Sequence, residues 1–475
     1  MNSSREVVDD VRREVALHFQ IKETYATGGG LAFVVEPPTD LESSFEELRH
    51  RLRPKGMVAS LDDKQGRFTV FVVSLPRRKT RPASMNQLML LLTFVTTVVS
   101  GSLLWASFSG EGTILSADNL LWGALTFAMP LLLILGTHEL SHYLMSRRYG
   151  LSVSLPFFIP SIPPIGTFGA FISIREPLPS RKALVDIGLA GPFGGFLVAI
   201  PVLIIGYSLS TGETSGLWQE GLVTFFGMPL IMQAMMALFP NGGDLLMHPT
   251  MFAGWLGLFI TGINLLPAGQ LDGGHVSRAV LGNRAVIVAY LVLGILMLLS
   301  TIYIGWLIFG LLILILGVSH PPPLNDITPL DGRRYVAAAL GLVLLVTCFI
   351  PIPMESRVNQ AALELDGTEG TNITMEPGGW SYLNISLENT GNIPLDASIG
   401  MQGLPEGWNY SIELVGSGQN VTDGILAFTL AVGEAAQLRL AVLAPMGTTG
   451  GNYTANITAS AGSAEDSLAL SLILA

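Results

Sequence analysis

The chain has little charge and almost no cysteine. Only 13% of its 475 residues are charged, about half the share of an ordinary soluble protein, whereas 49% are hydrophobic. The single cysteine, Cys348, excludes an internal disulfide framework and a zinc cage built from cysteines. The first residues lack the apolar core of a signal peptide, so we expect no cleaved export signal. This composition is typical of an integral membrane protein.

Lysine and arginine are also absent from two stretches, 108–117 and 209–249, and this absence orients the chain. Spans of about 20 apolar residues suffice to cross a bilayer, and we predict seven: 86–107, 118–146, 183–208, 250–270, 284–301, 303–319 and 335–352. The alternate connections carry basic residues, among them Arg147, Arg148, Arg175, Arg181, Lys182, Arg278, Arg284, Arg333 and Arg334. By the positive-inside rule the N-terminus and these connections are cytoplasmic. The localisation that follows is the cell membrane.

One apolar stretch, residues 222–239, is ambiguous. Its proline and methionines suit an interfacial or re-entrant segment as well as a span. If it did span, every later segment would change sides, and Arg278, Arg333 and Arg334 would be outside.

Residues 1–84 are polar and predict a small cytoplasmic α/β domain. A helix is expected near 7–19, strands at 31–35 and 67–74, and a second helix that ends near Leu52. Thr39 and Glu42 have the spacing of a capping box that opens this second helix. The basic residues Arg77, Arg78, Lys79 and Arg81 mark the end of the domain.

The membrane core is expected over residues 85–320, with about six spans, followed by a cytoplasmic loop and the seventh span over 321–352. Residues 353–475 differ sharply, because they contain two arginines, no lysine and many acids. An odd number of spans places this tail outside. Alternating stretches at 380–387 and 435–443, separated by turn residues, predict a β-sandwich. The sandwich has no recognisable catalytic motif, and an extracytoplasmic regulator is a possible partner for it.

The tail also carries six Asn-X-Ser/Thr tripeptides, at Asn372, Asn384, Asn409, Asn420, Asn452 and Asn456. Their density favours an exported glycoprotein. The alternative is that Asn and Thr are simply common in strands and turns.

The motif HELSH, residues 138–142, lies in an apolar run rather than in a soluble segment. His138 and His142 project from one face of a helix and can bind one zinc ion, while Glu139 can accept a proton from the attacking water. A buried acid between two histidines is costly at membrane depth, which indicates a function. The pattern predicts a metalloprotease centre inside the membrane.

A catalytic zinc usually has three protein ligands, so a third is needed elsewhere in the chain. Asp272 is the best candidate, because its segment ends another apolar span on the same predicted side as HELSH. Pro267 and the nearby glycines would break the helix there, and broken backbone at this depth is tolerated where it lines a wet cavity. Asn264 could donate a hydrogen bond to the scissile carbonyl, or it could make an ordinary contact between helices. We favour the first role.

Together, HExxH and Asn-x-x-Pro-x-x-x-Leu-Asp-Gly-Gly make residues 86–320 resemble the site-2 protease family of intramembrane zinc metalloproteases, most closely its archaeal and plastid branch. The resemblance implies zinc ligands at His138, His142 and Asp272, a catalytic base at Glu139 and an active-site neighbour at Asn264. It also implies a re-entrant β loop within residues 151–181, whose strand edge can hold an unwound substrate. The expected cofactor is Zn²⁺, and the expected partners are the lipid bilayer and a transmembrane protein substrate, with no nucleic acid.

Two other functions are compatible with parts of the sequence. A catalytically silent membrane receptor would use the C-terminal sandwich to bind a partner, but it would not need Glu139 together with all three ligands. A metal transporter would carry polar residues along a path, whereas here they cluster at one depth. Among the remaining polar residues, His275 could approach the metal although three ligands are already assigned, His248 and Asp244 lie at the wrong depth, and His320 is expected to be a solvated loop residue.

Overall fold

The computed structural model describes residues 2–64, 66–75, 83–110, 113–210, 220–240, 246–367 and 370–474. The chain divides into two compact units, the first made of Met1–Gly212 and Phe226–Pro353, the second of Glu213–Phe225 and Met354–Ala475. The predicted basic boundary at Arg77, Arg78, Lys79 and Arg81 lies outside the described residues, as does Asp244.

The N-terminal segment folds as two helices on an antiparallel sheet of strand order β1-β2-β4-β3. Its elements are α1 (Asn2–Ala16), β1 (Gln20–Thr27), β2 (Gly30–Glu36), α2 (Leu41–Leu52), β3 (Met57–Lys64) and β4 (Arg67–Ser74). Phe33, Phe45 and Leu48 are fully buried in its core. The capping-box prediction is wrong by one residue, because Asp40 and not Thr39 caps α2 by accepting the Ser43 N–H at 3.0 Å.

Helices dominate the rest of the first unit: α3 (Ala83–Ser109), α4 (Ala117–Gly123), a π-helical turn (Ala124–Ala128), α5 (Met129–Arg148), α6 (Arg181–Leu209), α7 (Leu230–Leu238), α8 (Pro249–Asn264), α9 (Asp272–Leu281), α10 (Ala285–Leu299), α11 (Gly305–Leu316) and α12 (Gly332–Cys348). Among the described residues, four continuous stretches are long and apolar enough to cross a membrane: Ser84–Ser109, Ala117–Arg148, Arg181–Leu209 and Asp272–Leu299. The protein is therefore a polytopic integral membrane protein.

The remaining predicted spans correspond to shorter helices. Helices α8, α11 and α12 have 16, 12 and 17 residues. Each is shorter than the roughly 20 residues that a helix needs to span the hydrocarbon core of a bilayer. The span predicted over 250–270 is helical only to Asn264, because the backbone turns repeatedly between there and Asp272. Count and sidedness of the spans thus stay predictions.

The ambiguous stretch 222–239 contains strand β7 (Gly221–Phe226) and helix α7. Nine helical residues extend about 14 Å, which is half the thickness of the hydrocarbon core. This stretch is therefore not one membrane-spanning helix.

Between α5 and α6 the chain forms an antiparallel hairpin of β5 (Phe157–Pro160) and β6 (Thr167–Phe171), as expected for a β loop. The hairpin packs on α3, where Thr96 donates a hydrogen bond to the Gly166 carbonyl at 2.6 Å. Gly166 has φ +81°, and a Cβ there would lie 2.5 Å from the Thr96 carbonyl oxygen. Only glycine allows this close approach of hairpin and helix.

The N-terminal sheet continues into the membrane core through backbone hydrogen bonds. The Leu61 N–H donates to the Leu324 carbonyl at 2.8 Å, and the Leu324 N–H donates to the Leu178 carbonyl at 2.9 Å. Two residues later, Ser180 caps the start of α6. Arg53 of the N-terminal domain forms an ion pair of 2.8 Å with Glu176, which lies in the segment between the hairpin and α6.

The second unit is a β-sandwich. Its strands are β8 (Met354–Asn359), β9 (Leu363–Gly367), β10 (Asn372–Met375), β11 (Trp380–Asn389), β12 (Leu395–Gln402), β13 (Asn409–Leu414), β14 (Gln419–Thr422), β15 (Leu426–Leu430), β16 (Ala435–Leu443), β17 (Gly451–Ala461) and β18 (Ala464–Leu474). Two five-stranded sheets, β10-β18-β17-β12-β15 and β14-β13-β16-β11-β9, share one apolar core. The asparagines of all six Asn-X-Ser/Thr tripeptides are exposed.

Candidate metal centre

Helix α5 carries the HELSH motif without interruption, so His138 and His142 lie one turn apart. Both histidines and Glu139 are buried, with at most 7% of each residue exposed. Three polar side chains in such surroundings are costly unless they meet partners or a metal.

Asp272 is the first residue of α9, placed there by the turns that follow Asn264. Its Oδ2 lies 3.3 Å from Nε2 of His138 and 3.2 Å from Nε2 of His142, and the two Nε2 atoms are 3.1 Å apart. Ligands about 2.0 to 2.1 Å from a tetrahedral zinc ion are separated by about 3.3 Å. The three atoms therefore have the spacing of three corners of a zinc tetrahedron.

The backbone of α6 fixes the orientation of His142. Nδ1 of His142 donates a hydrogen bond to the Ile187 carbonyl at 2.8 Å. With the proton on Nδ1, the lone pair of Nε2 is free to bind a metal, which is the usual arrangement for a metal-binding histidine. The donor set, the spacing and this hydrogen bond all fit Zn²⁺.

Glu139 and Asn264 lie beside the three ligand atoms. Oε1 of Glu139 is 4.0 Å from Nε2 of His138, and Nδ2 of Asn264 is 3.4 Å from the same atom. Both side chains line a cavity of about 200 Å³. The rest of its wall comes from the three ligands, from β6 and the residues just after it, from α6, and from the α8–α9 connection and α9: His138, His142, Asp272, Ala170, Phe171, Ile172, Ile174, Ile187, Gln270, Leu271 and His275. The cavity has room for water and part of a peptide.

A glycine face of α6 lets that helix pack against the ligands. A Cβ on Gly191 would lie 2.0 Å from Nε2 of His142, and one on Gly195 would lie 3.1 Å from Nδ1 of His138. Gly188 similarly faces the backbone of Asp272. Their spacing of three and four residues places them on one helix face, but the sequence alone does not indicate what this face contacts.

The other histidines have different surroundings. His275 lines the cavity but is not among the three clustered ligands. His320 is not simply a solvated loop residue, because its ring packs against the His275 ring with centroids 4.4 Å apart. His248 caps the start of α8, where its Nδ1 accepts the Thr250 N–H.

Comparison with known proteins relates this geometry to a family. Residues 126–301 match the model of Peptidase family M50, a segment that contains His138, Glu139, His142, Asn264 and Asp272. This segment is similar to the M50 peptidases. The similarity agrees with the resemblance to the site-2 protease family that the two motifs give.

Curated relatives are similar over the same part of the chain. "Probable zinc metalloprotease EGY1, chloroplastic" from Arabidopsis thaliana is 34% identical over 240 residues, which are 48% of this chain and 43% of that relative. "Probable zinc metalloprotease EGY2, chloroplastic" from the same plant is 30% identical over 264 residues, covering 53% and 47%. The chain thus spans somewhat less than half the length of these relatives.

Among solved structures, a PapD-like domain of human CEP192 aligns with 24% of this chain and 84% of its own length, at 17% identity. The TM-score of 0.16 is too low to carry an argument.

Proposed function

We propose that this protein is an intramembrane zinc metalloendopeptidase that cuts peptide bonds within or near transmembrane segments of other membrane proteins. The observation that carries this proposal is the tetrahedral spacing of the ligand atoms of His138, His142 and Asp272, with the Glu139 carboxylate beside them. The similarity to proteins named zinc metalloproteases supports it.

His138, His142 and Asp272 would hold the metal. A bound Zn²⁺ supplies Lewis acidity, which makes water a stronger nucleophile and polarises the scissile carbonyl. Glu139 accepts a proton from the attacking water and then gives it to the leaving amide nitrogen. The Asn264 amide donates a hydrogen bond to the oxygen of the carbonyl under attack, where negative charge develops.

A substrate in this account must present an extended backbone to the cavity. Residues 170–172, at the end of β6 and just after it, form part of the cavity wall next to Glu139. We infer that an unwound segment of a transmembrane substrate pairs with this strand, because main-chain pairing holds a peptide without demanding one sequence.

The placement in the membrane is also proposed. The basic residues of the alternate connections favour a cytoplasmic N-terminal domain and a cell-membrane location. The sandwich would then be outside, where its six exposed asparagines could carry glycans and its surface could bind a regulator.

The test is cleavage of a panel of labelled transmembrane peptides by the purified, zinc-loaded chain in detergent. Glu139→Gln keeps the shape of the side chain but cannot accept the proton, so it should retain zinc and lose cleavage. Leu140→Ala, at an exposed neighbour on the same helix, is the matched control and should cut normally. If Glu139→Gln cuts as well as the unsubstituted chain, the proposed role is wrong. If neither cuts while partners still bind the sandwich, the receptor function is favoured instead.

A further inference from the structure

The position of His142 depends on one carbonyl group. Ile187 accepts the Nδ1 hydrogen bond of His142 at 2.8 Å and is 1% exposed. Ile187 lies in the second turn of α6. A movement of this end of α6 relative to α5 would therefore turn or shift the imidazole and displace Nε2 from the other two ligand atoms.

The residue before Ile187 joins these two helices. The Tyr149 hydroxyl, directly after the last residue of α5, donates to Oδ2 of Asp186 at 2.5 Å. Nε of Arg334 donates to Oδ1 of the same carboxylate at 2.9 Å, and a terminal guanidinium nitrogen of Arg334 donates to Oδ2. The two helices that form the His142–Ile187 hydrogen bond thus meet at one carboxylate.

Arg334 comes from α12, which lies outside the M50 match of residues 126–301. Its guanidinium also pairs with Asp331 and lies 3.1 Å from the Tyr149 hydroxyl. Asp331 in turn caps α12 by accepting the Arg334 N–H at 3.0 Å. Arg334 is therefore held from two sides.

The surroundings strengthen these contacts. The side chains of Asp186 and Arg334 are 24% and 23% exposed, so solvent and salt screen them less than a surface pair. Burial, together with the hydrogen bond to Asp186, raises the pKa of Tyr149. The Tyr149 hydroxyl therefore remains a donor even at a pH at which a free tyrosine loses its proton.

We propose that Tyr149, Asp186 and Arg334 are positioning residues that hold His142 in its metal-binding orientation. A segment outside the M50 match would then tune the zinc affinity of the site. This inference rests on the proposed zinc site, but not on any particular substrate.

Zinc affinity of the full chain in detergent, measured by competition with a chromophoric chelator, tests the inference. Asp186→Asn should weaken zinc binding by about 10-fold or less, because it acts on His142 only through Ile187, whereas loss of a group that contacts a metal-binding histidine directly costs about 10- to 100-fold. Tyr149→Phe removes one hydrogen bond and should weaken it less, in the same direction. Arg334→Lys keeps the charge but loses the two-point contact, so its affinity should lie between those of the unsubstituted chain and Asp186→Asn.

The matched control is Arg53→Ala, which breaks a similarly exposed ion pair with Glu176 at 2.8 Å. It should leave zinc affinity unchanged. The inference is overturned if Asp186→Asn and Tyr149→Phe bind zinc as tightly as the unsubstituted chain, or if Arg53→Ala weakens binding equally. If Asp186→Asn does not fold, Tyr149→Phe decides. Failure of the unsubstituted chain to cut peptides would count against the proposed function and would leave the zinc measurement intact.

Discussion

Replacing Gly191 by alanine should remove zinc from the site while the chain still folds. The added Cβ would lie 2.0 Å from Nε2 of His142, whereas non-bonded heavy atoms prefer about 3.5 Å. The overlap is about 1.5 Å. The ring cannot yield without leaving the Ile187 carbonyl, and α6 cannot recede without carrying that carbonyl away.

The energetic consequences for the fold and for the site differ. Overpacking lowers the free energy of unfolding by about 1 to 3 kcal/mol. Exchanging glycine for alanine inside a helix raises it by about 1 kcal/mol. The free energy of unfolding should therefore change by about 2 kcal/mol or less. Zinc affinity should fall by more than about 100-fold, because changes that only disturb groups behind a ligand already cost about 10- to 100-fold.

Two assays test this prediction. Elemental analysis after desalting gives the zinc content per chain, and competition with a chelator gives the zinc affinity. Gly294→Ala is one control, because a Cβ there meets nothing within 4 Å. Gly206→Ala is the other, because its Cβ would lie 2.1 Å from the Met251 backbone nitrogen, at a position about 22 Å further along α6 than Gly191. It should lower stability and leave zinc affinity unchanged. Normal zinc content in Gly191→Ala would refute the packing argument.

Three further predictions concern other parts of the chain. Hydrogen bonds from Lys55 lower the pKa of Asp10 and Glu14 below their ordinary values of 3.8 and 4.5. The stabilisation of the folded N-terminal domain by these contacts is therefore complete above about pH 4.5 and is lost as the pH falls through the lowered pKa values. Hydrogen exchange of α1, corrected for intrinsic rates, should show this loss in the unsubstituted chain; an equal loss in Lys55→Met would contradict it. Arg53→Ala breaks the ion pair with Glu176, which lies just after the hairpin. Peptide cleavage should slow several-fold, because the hairpin is proposed to hold the substrate. An unchanged rate would indicate that the N-terminal domain does not support the hairpin. Expression in a glycosylating host should give a tail whose mass falls on glycosidase treatment, and a chain of unmodified mass would leave the six tripeptides as ordinary strand residues.

The parts of the site that depend on side-chain identity and helical period could be predicted from the sequence. His138 and His142 are four residues apart on a helix, and the structure brings them together with Asp272 as expected. Asp272 could be predicted as a ligand because a polar, helix-breaking segment within an apolar region is costly and therefore indicates a function. The strands around Trp380–Asn389 and Ala435–Leu443 followed from alternation, and they pair with each other as neighbours in one sheet.

The parts that depend on tertiary contact could not be predicted. The hydrogen bond from His142 to the Ile187 carbonyl could not be predicted, because every residue has a backbone carbonyl and the residue type at position 187 gives no signal. The glycine face of α6 is visible as spacing, but nothing in the sequence says that His142 is what Gly191 faces. Arg334 was useful only as a marker of sidedness, since its partners Tyr149 and Asp186 are more than a hundred residues away. Thr39 and Asp40 compete for the same cap, and local geometry decides in favour of Asp40.

The most direct test of the account is X-ray absorption at the zinc edge of the zinc-loaded chain. We expect two imidazole nitrogens and oxygen ligands at about 2.0 to 2.1 Å, with no sulfur, and loss of zinc from His142→Ala after desalting. A third imidazole would add His275 to the ligands, and a sulfur shell, or full zinc content in His142→Ala, would contradict a centre built from His138, His142 and Asp272.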